Sequence, residues 1–214
     1  SNSQEFENLA NQYGISATLE TGNLLGNVQD YNTRSAIPDI SVALYDSSNN
    51  LVQQTQTDSL GNYVFQNLVQ ANYIIQFTNQ NYLTASGRFD ILANANNVFS
   101  QVLMPQISAN TTQGSLNGYI KDAFTGDSLT DVTVTLYSGL NVTSGDIIKT
   151  VTSGSSGYAL SELSAGYYTV VLSKDGYITV SYPLTIGGNN TSQNKDYTIS
   201  PILSENEIRV VLTW

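Results

Sequence analysis

Apolar and polar residues alternate along most of this chain with a period of two. Ile40, Val42 and Leu44 fall on one side of an extended segment, with Ser41 and Ala43 on the other. Val132, Val134 and Leu136 repeat the pattern against Thr133 and Thr135, and Tyr73, Ile75, Phe77 and Tyr168, Val170, Leu172 alternate in the same way. This is the signature of half-buried strands in an antiparallel sheet. Turn-forming clusters separate the runs: Asp46 to Asn50, Asp58 to Gly61, Asn79 to Asn81 and Gly187 to Asn190. The pattern predicts strands near 23–30, 40–46, 50–57, 62–66, 72–78, 85–91 and 97–104. A second set is predicted near 115–122, 131–138, 146–153, 157–161, 167–173, 179–186 and 193–200. No helix is expected within either set.

The two sets are two copies of one pattern. Residues 26–45 (GNVQDYNTRSAIPDISVALY) match 118–137 (GYIKDAFTGDSLTDVTVTLY) at an offset of 92. Gly26/Gly118, Asp30/Asp122, Thr33/Thr125, Asp39/Asp131, Val42/Val134, Leu44/Leu136 and Tyr45/Tyr137 are identical pairs. The match resumes at an offset of 95 through Tyr63/Tyr158, Leu68/Leu163, Tyr73/Tyr168 and Tyr82/Tyr177. A period this long is a whole small domain, not a solenoid unit. The expected architecture is all-β: two tandem seven-stranded Greek-key β-sandwiches, at 21–106 and 114–202. The polar stretch around 107–113 reads as the linker.

The ends carry further expectations. Residues 1–20 form an N-terminal extension in which Phe6, Leu9, Ala10 and Tyr13 have helical spacing and Asn2 with Glu5 a capping-box spacing. Ile15, Ala17 and Leu19 then alternate like a strand. Residues 203–214 contain one more strand, Glu207 to Trp214, which reads as the opening of a further domain.

Composition narrows the function. With 7 basic and 17 acidic residues, a net charge of -10, the chain lacks the clustered cations that nucleic acid requires. It has no cysteine and no histidine, which removes disulfides, thiolate metal sites and the commonest general base and zinc ligand. Only 11% of residues are charged, so the surface relies on Asn, Gln, Ser and Thr, as on many exported proteins. No run is long and apolar enough for membrane insertion.

The string G-x-V-x-D-x-x-T-x-x-x-I-x-D-x-x-V-x-L-Y, followed by T-D-x-x-G-x-Y-x-F-x-x-L, resembles the carboxypeptidase regulatory-like module. Its carriers are Gly26, Val28, Asp30, Thr33, Ile37, Asp39, Val42, Leu44, Tyr45, Thr57, Asp58, Gly61, Tyr63, Phe65 and Leu68. The second copy carries Gly118, Asp122, Thr125, Asp131, Val134, Tyr137, Gly157, Tyr158 and Leu163, with Thr152-Ser153 in place of Thr57-Asp58. The resemblance implies a transthyretin-like (prealbumin-like) sandwich in a bacterial exported or cell-surface protein. It is nearly silent on function, because turn and core residues carry it.

Candidate chemistry is sparse. Without histidine a serine triad is impossible, and the acids lie in turns, where they cap their own backbone. No catalytic residue is assigned, and paired-carboxylate glycoside hydrolysis is a remote alternative. Calcium is the one cofactor left open, with Asp58 in the Asp58–Asn62 turn as its candidate and Asp127/Asp131 a second possibility. An isopeptide is excluded from the first copy, which has no lysine between 21 and 106, and Lys121 reads as pointing outward. Tyr31, Tyr82, Phe124 and Tyr177 are the candidate ligand-binding aromatics, and the other paired tyrosines are expected to pack with their hydroxyls at the surface. The reading is a non-enzymatic spacer or interaction module, with neighbouring domains of the same polypeptide as partners. A carbohydrate- or protein-binding, adhesin-like module is the alternative.

Overall fold

The computed structural model describes residue 12 and residues 20–106, 113–187 and 191–203. The expected terminal helix and strands, and most of the linker, lie outside these residues. The chain divides after Leu103 into two compact units.

Unit 1 contains β1 (Thr21–Asp30), β2 (Ser41–Tyr45), β3 (Leu51–Gln56), β4 (Asn62–Val69), β5 (Ala71–Asn79), β6 (Tyr82–Ile91), β7 (Asn96–Val98) and β8 (Gln101–Leu103). One sheet has the order β3-β2-β5-β6, and the other places β1 between β4 and the pair β7 and β8. Unit 2 contains β9 (Gly114–Gly118), β10 (Ile120–Asp122), β11 (Thr133–Ser138), β12 (Ile147–Thr152), β13 (Tyr158–Leu163), β14 (Gly166–Ser173), β15 (Val180–Ile186), β16 (Ser192–Asn194) and β17 (Tyr197–Ile199). Its sheets repeat the plan, as β12-β11-β14-β15 and as β13-β9-β16 continued by β10-β17. The chain is all-β, and each unit is a β-sandwich.

Alternation decides what is buried. In β1 every second residue from Gly22 to Asp30 is buried, and Leu24 and Val28 are fully buried, as are Val42, Leu44, Ile75 and Phe77 of the other sheet. The Tyr63 ring in β4 stands edge-on to Phe77 in β5, with centroids 5.7 Å apart, so the two sheets interlock through aromatic contact. Unit 2 repeats this core with Leu116, Val134, Leu136, Val170 and Leu172. In unit 1 Phe99 stacks on Phe77 and meets Phe89 edge-on. In unit 2 Tyr182 of β15 stacks on Tyr197 of β17, with centroids 4.9 Å apart.

Four expectations need correction. The pairing is not wholly antiparallel: β1 runs parallel to β7 and β8, β9 to β16, and β10 to β17. The strands expected at 97–104 and 193–200 are each broken, at Phe99-Ser100 and at Lys195-Asp196, and the one at 115–122 is broken at Tyr119. Both last-strand breaks turn a carbonyl inward, that of Phe99 or of Lys195, and the buried Tyr63 and Tyr158 hydroxyls donate to them. These hydroxyls therefore do not sit at the surface; they satisfy backbone that would otherwise be orphaned inside the protein. Finally, the repeat partner of Thr57 is Ser153. Each hydroxyl donates to a carbonyl, Ile37 or Leu129, and accepts from an amide, Ile40 or Val132.

Candidate functional site

The paired aspartates at the end of β1 and β10 organise the loops where the candidate aromatics lie. Asp30 Oδ1 accepts from the amides of Asn32 at 2.8 Å and Thr33 at 2.9 Å, closing a turn in which Arg34 takes a positive φ of 61°. Asp122 Oδ1 accepts from Phe124 at 2.7 Å and Thr125 at 3.0 Å, and there Gly126 takes the positive φ. The remaining carboxylate oxygen accepts a tyrosine hydroxyl in each case. Tyr82 donates to Asp30 at 2.9 Å and Tyr177 to Asp122 at 2.8 Å. Burial pushes the Asp30 carboxyl up, but the Thr33 amide, the Tyr82 hydroxyl and the Asn32 amide together bring it below the usual range. Tyr82 is pushed up to about 12 by burial and by Asp30. Tyr177 is raised chiefly by its hydrogen bond to Asp122.

The four aromatics thus form two pairs, Tyr31 with Tyr82 about Asp30 and Phe124 with Tyr177 about Asp122. All four are half-buried. Tyr82 opens strand β6 instead of lying in a loop, and Tyr177 bridges to Pro201. The Arg34 guanidinium lies 5.4 Å from the centroid of the Tyr31 ring. Tyr82 and Tyr177 spend their hydroxyls on holding their own unit's turn.

Asp58 behaves similarly. Its Oδ1 accepts from the amides of Leu60 at 2.9 Å and Asn62 at 2.8 Å, and Gly61 supplies a φ of 74°. Asp46 Oδ1 likewise accepts from Ser48 and Asn50, both at 2.9 Å. Both carboxyls are held below the usual range, foremost by the amide of the turn's last residue, Asn62 or Asn50. Among the described residues no group of three acidic side chains gathers as a metal cluster would. Lys121 points outward onto Asp196 at 2.7 Å, and Lys195 lies over the Tyr197 ring.

Two features had no sequence signal. The first is a side-chain bridge across the side of each sandwich: Gln53 donates to the Gln66 carbonyl at 3.2 Å, and Lys149 to the Ser161 carbonyl at 2.8 Å. The second is a repeated pair of exposed aliphatics opening the edge strands, Leu51 and Val52 in β3 and Ile147 and Ile148 in β12. The equivalence could not be seen because an insertion in the β11–β12 loop moves the offset from 92 to 96 there.

Against known proteins, residues 23–98 match the family model described as SdrD B-like domain. The bone sialoprotein-binding protein of Staphylococcus aureus is 27% identical over 195 residues, covering 79% of this chain and 16% of that protein. The serine-aspartate repeat-containing protein E of Staphylococcus aureus strain Newman is also 27% identical, over 79% of this chain and 15% of its own length. The chain therefore spans about a sixth of the curated relatives it matches. Among solved structures, a shaft pilin from Lactobacillus rhamnosus GG overlaps 86% of this chain and 100% of its own, at 16% identity and a TM-score of 0.36. The minor pilin of Streptococcus agalactiae overlaps 89% and 100%, at 15% identity and a TM-score of 0.37. In sequence, the first unit is similar to a domain type of bacterial surface proteins.

Proposed function

We propose that the chain is a non-enzymatic, load-bearing spacer and interaction module of a larger bacterial exported protein, acting at the cell surface with neighbouring domains of its own polypeptide. The observation that carries this is the parallel pairing of the first and last strands in each unit. Strand β1 bonds β7 and then β8, through Asn23 N to Ala95 O at 2.9 Å, Phe99 N to Leu25 O at 3.0 Å and Tyr31 N to Leu103 O at 2.9 Å. In unit 2 the equivalents are Ser115 N to Thr191 O at 3.0 Å, Lys195 N to Asn117 O at 2.8 Å, Tyr197 N to Tyr119 O at 2.9 Å and Ala123 N to Ile199 O at 3.0 Å. Parallel neighbours enter at one end and leave at the other. Tension on the chain therefore loads all these bonds together in shear, not one after another. The Tyr63 and Tyr158 hydroxyls pin the breaks in the last strands, where such a clamp would otherwise be weakest.

Asp30, Asp58 and Asp122 hold turns with their carboxylates, and Tyr82 and Tyr177 brace two of those turns. In this reading the two units are tandem modules of carboxypeptidase regulatory-like type, a reading supported by the recurring strand order. The similarity to Staphylococcus surface proteins supports the location.

Single-molecule pulling tests this. Loading the whole chain through its ends should give two unfolding events, each releasing about 25–30 nm of contour. Loading unit 1 through cysteines at Thr21 and Asn94, which lie at the same end of the sandwich, should peel β1 away at a several-fold lower force. Equal forces in the two directions would sink the clamp.

A further inference from the structure

Strand β3 is the outermost of its sheet, and among the described residues no strand pairs with its open side. Its six residues, LVQQTQ, include neither charge nor proline, two of the devices by which an edge discourages a further strand. Its register shift at Val52, a bulge-type device, recurs at the same place in β12 and so does not distinguish the two edges. Leu51 and Val52 at its start are 55% and 42% exposed. They line a depression of about 700 Å³ that Asp46, Asn67, Asn72 and Tyr73 help to enclose.

The corresponding edge of unit 2 is built differently. Strand β12 has the same exposed pair, Ile147 and Ile148, but Lys149 replaces Gln53. Lys149 is the cross-strand partner of Leu136, as Gln53 is of Leu44, and both leucines are fully buried. The lysine thus leans over the core-facing side and is tied to the Ser161 carbonyl. An inward-leaning charge on an edge strand is a recognised protection against pairing. Unit 2 carries that protection and unit 1 does not.

Charge brackets the unprotected edge. Asp46 lies in the turn before β3 and Asp58 in the turn after it, separated by a strand of about 20 Å. Asp46 is half-buried and Asp58 exposed, and each accepts from the amides of its own turn. The β12 edge has Asp146 before it but Gly154 after it.

We propose that the β3 edge of unit 1 receives an extended peptide of a partner protein as an added strand. That peptide has aliphatic or aromatic side chains facing Leu51, Val52 and the depression, and a basic residue at each end facing Asp46 and Asp58. Main-chain bonds supply affinity, and the two carboxylates select the charge pattern and speed encounter. The inference extends the interaction half of the reading above and is independent of the mechanical half, which the pulling experiment judges separately.

The test is ¹⁵N NMR titration of the full 214-residue chain with three synthetic peptides. Each has a core of alternating valine and threonine, flanked by lysines, by glutamates, or by lysines around a proline-interrupted core. The lysine-flanked peptide should shift amides of residues 46–58 and leave 146–154 unmoved. It should bind about tenfold more tightly than the glutamate form in 50 mM salt, with the difference shrinking in 500 mM salt. The proline form should not bind. Val52→Lys, at an exposed position that folding tolerates, should abolish binding, and Asp46→Asn with Asp58→Asn should erase the flank preference. Shifts centred on β12, indifference to the flanks, or self-association through β3 would each overturn the proposal. So would a response of the same amides to a glycan panel but to none of the peptides.

Discussion

Replacing Gly26 by alanine is the sharpest probe of how the strands are clamped. A Cβ built on Gly26 lies 1.9 Å from the Phe99 carbonyl oxygen and 2.7 Å from the Tyr63 ring, whereas real Cβ atoms keep at least 3.0 Å from such neighbours. Strand β1 must therefore part from the break between β7 and β8 by about 1 Å. The parting strains the Phe99 N to Leu25 O bond at 3.0 Å, the Asn27 N to Ser100 Oγ bond at 3.1 Å and the Tyr63 bond to the Phe99 carbonyl. Losing two such bonds at about 1 kcal/mol each, with an overpacking cost of about 2 kcal/mol, gives roughly 4 kcal/mol. That approaches the whole stability expected of a domain this size. Gly126→Ala is the control. Gly126 has a φ of 76° but nothing within 4 Å, and Arg34 holds the equivalent turn position in unit 1. It should cost about 1 kcal/mol, all of it backbone strain. By calorimetry, Gly26→Ala should lower one of two transitions by about 20 °C and leave the other in place. Gly126→Ala should lower the other by about 5 °C. Equal shifts for the two variants would show that the strands part freely, and the close-approach argument would fail.

Two further outcomes follow from the turns and the tyrosines. Tyr82→Phe removes one bond to a carboxylate and should cost about 1 kcal/mol in urea unfolding, while Asp30→Ala strands two amides and a hydroxyl and should cost about 3 kcal/mol. Because the folded Asp30 carboxyl lies below its unfolded value, its contribution is present above about pH 4 and is lost as pH falls through the folded value. Asp46 and Asp58 are held low as well, so acid titration of Asp30→Ala should show a smaller loss than wild type, not none. At the alkaline end the sign reverses. Burial raises Tyr167 and Tyr197 to about 12, and raises Tyr63 and Tyr158 still further. Unfolded tyrosines ionise near 10, so stability holds below about pH 10 and falls above it. Absorbance at 295 nm should show the exposed tyrosines ionising first and the buried ones only with cooperative unfolding. A single smooth titration near 10 would refute this.

The alternation of Val42, Leu44 and their repeats was enough to reveal an all-β protein in two copies, because a period of two leaves one face to bury and water on the other. The paired Asp30/Asp122 were likewise legible as turn residues, whereas Asp39/Asp131 were legible only as a repeated pair, with Asp131 expected to open a strand. Asp39 and Asp131 both hold a left-handed backbone, at φ 58° and 59°, which aspartate tolerates and branched residues do not. Direction was not legible. Alternation is the same for parallel and antiparallel neighbours, so only the folded chain decided that first and last strands run together. Nor could pattern separate a tyrosine whose hydroxyl meets water from Tyr63, whose hydroxyl meets a carbonyl 36 residues away. The β3 edge was hidden for the same reason. Leu51 and Val52 read as ordinary strand residues, and what leaves them uncovered is the place of β3 in its sheet, which no local run of residues encodes.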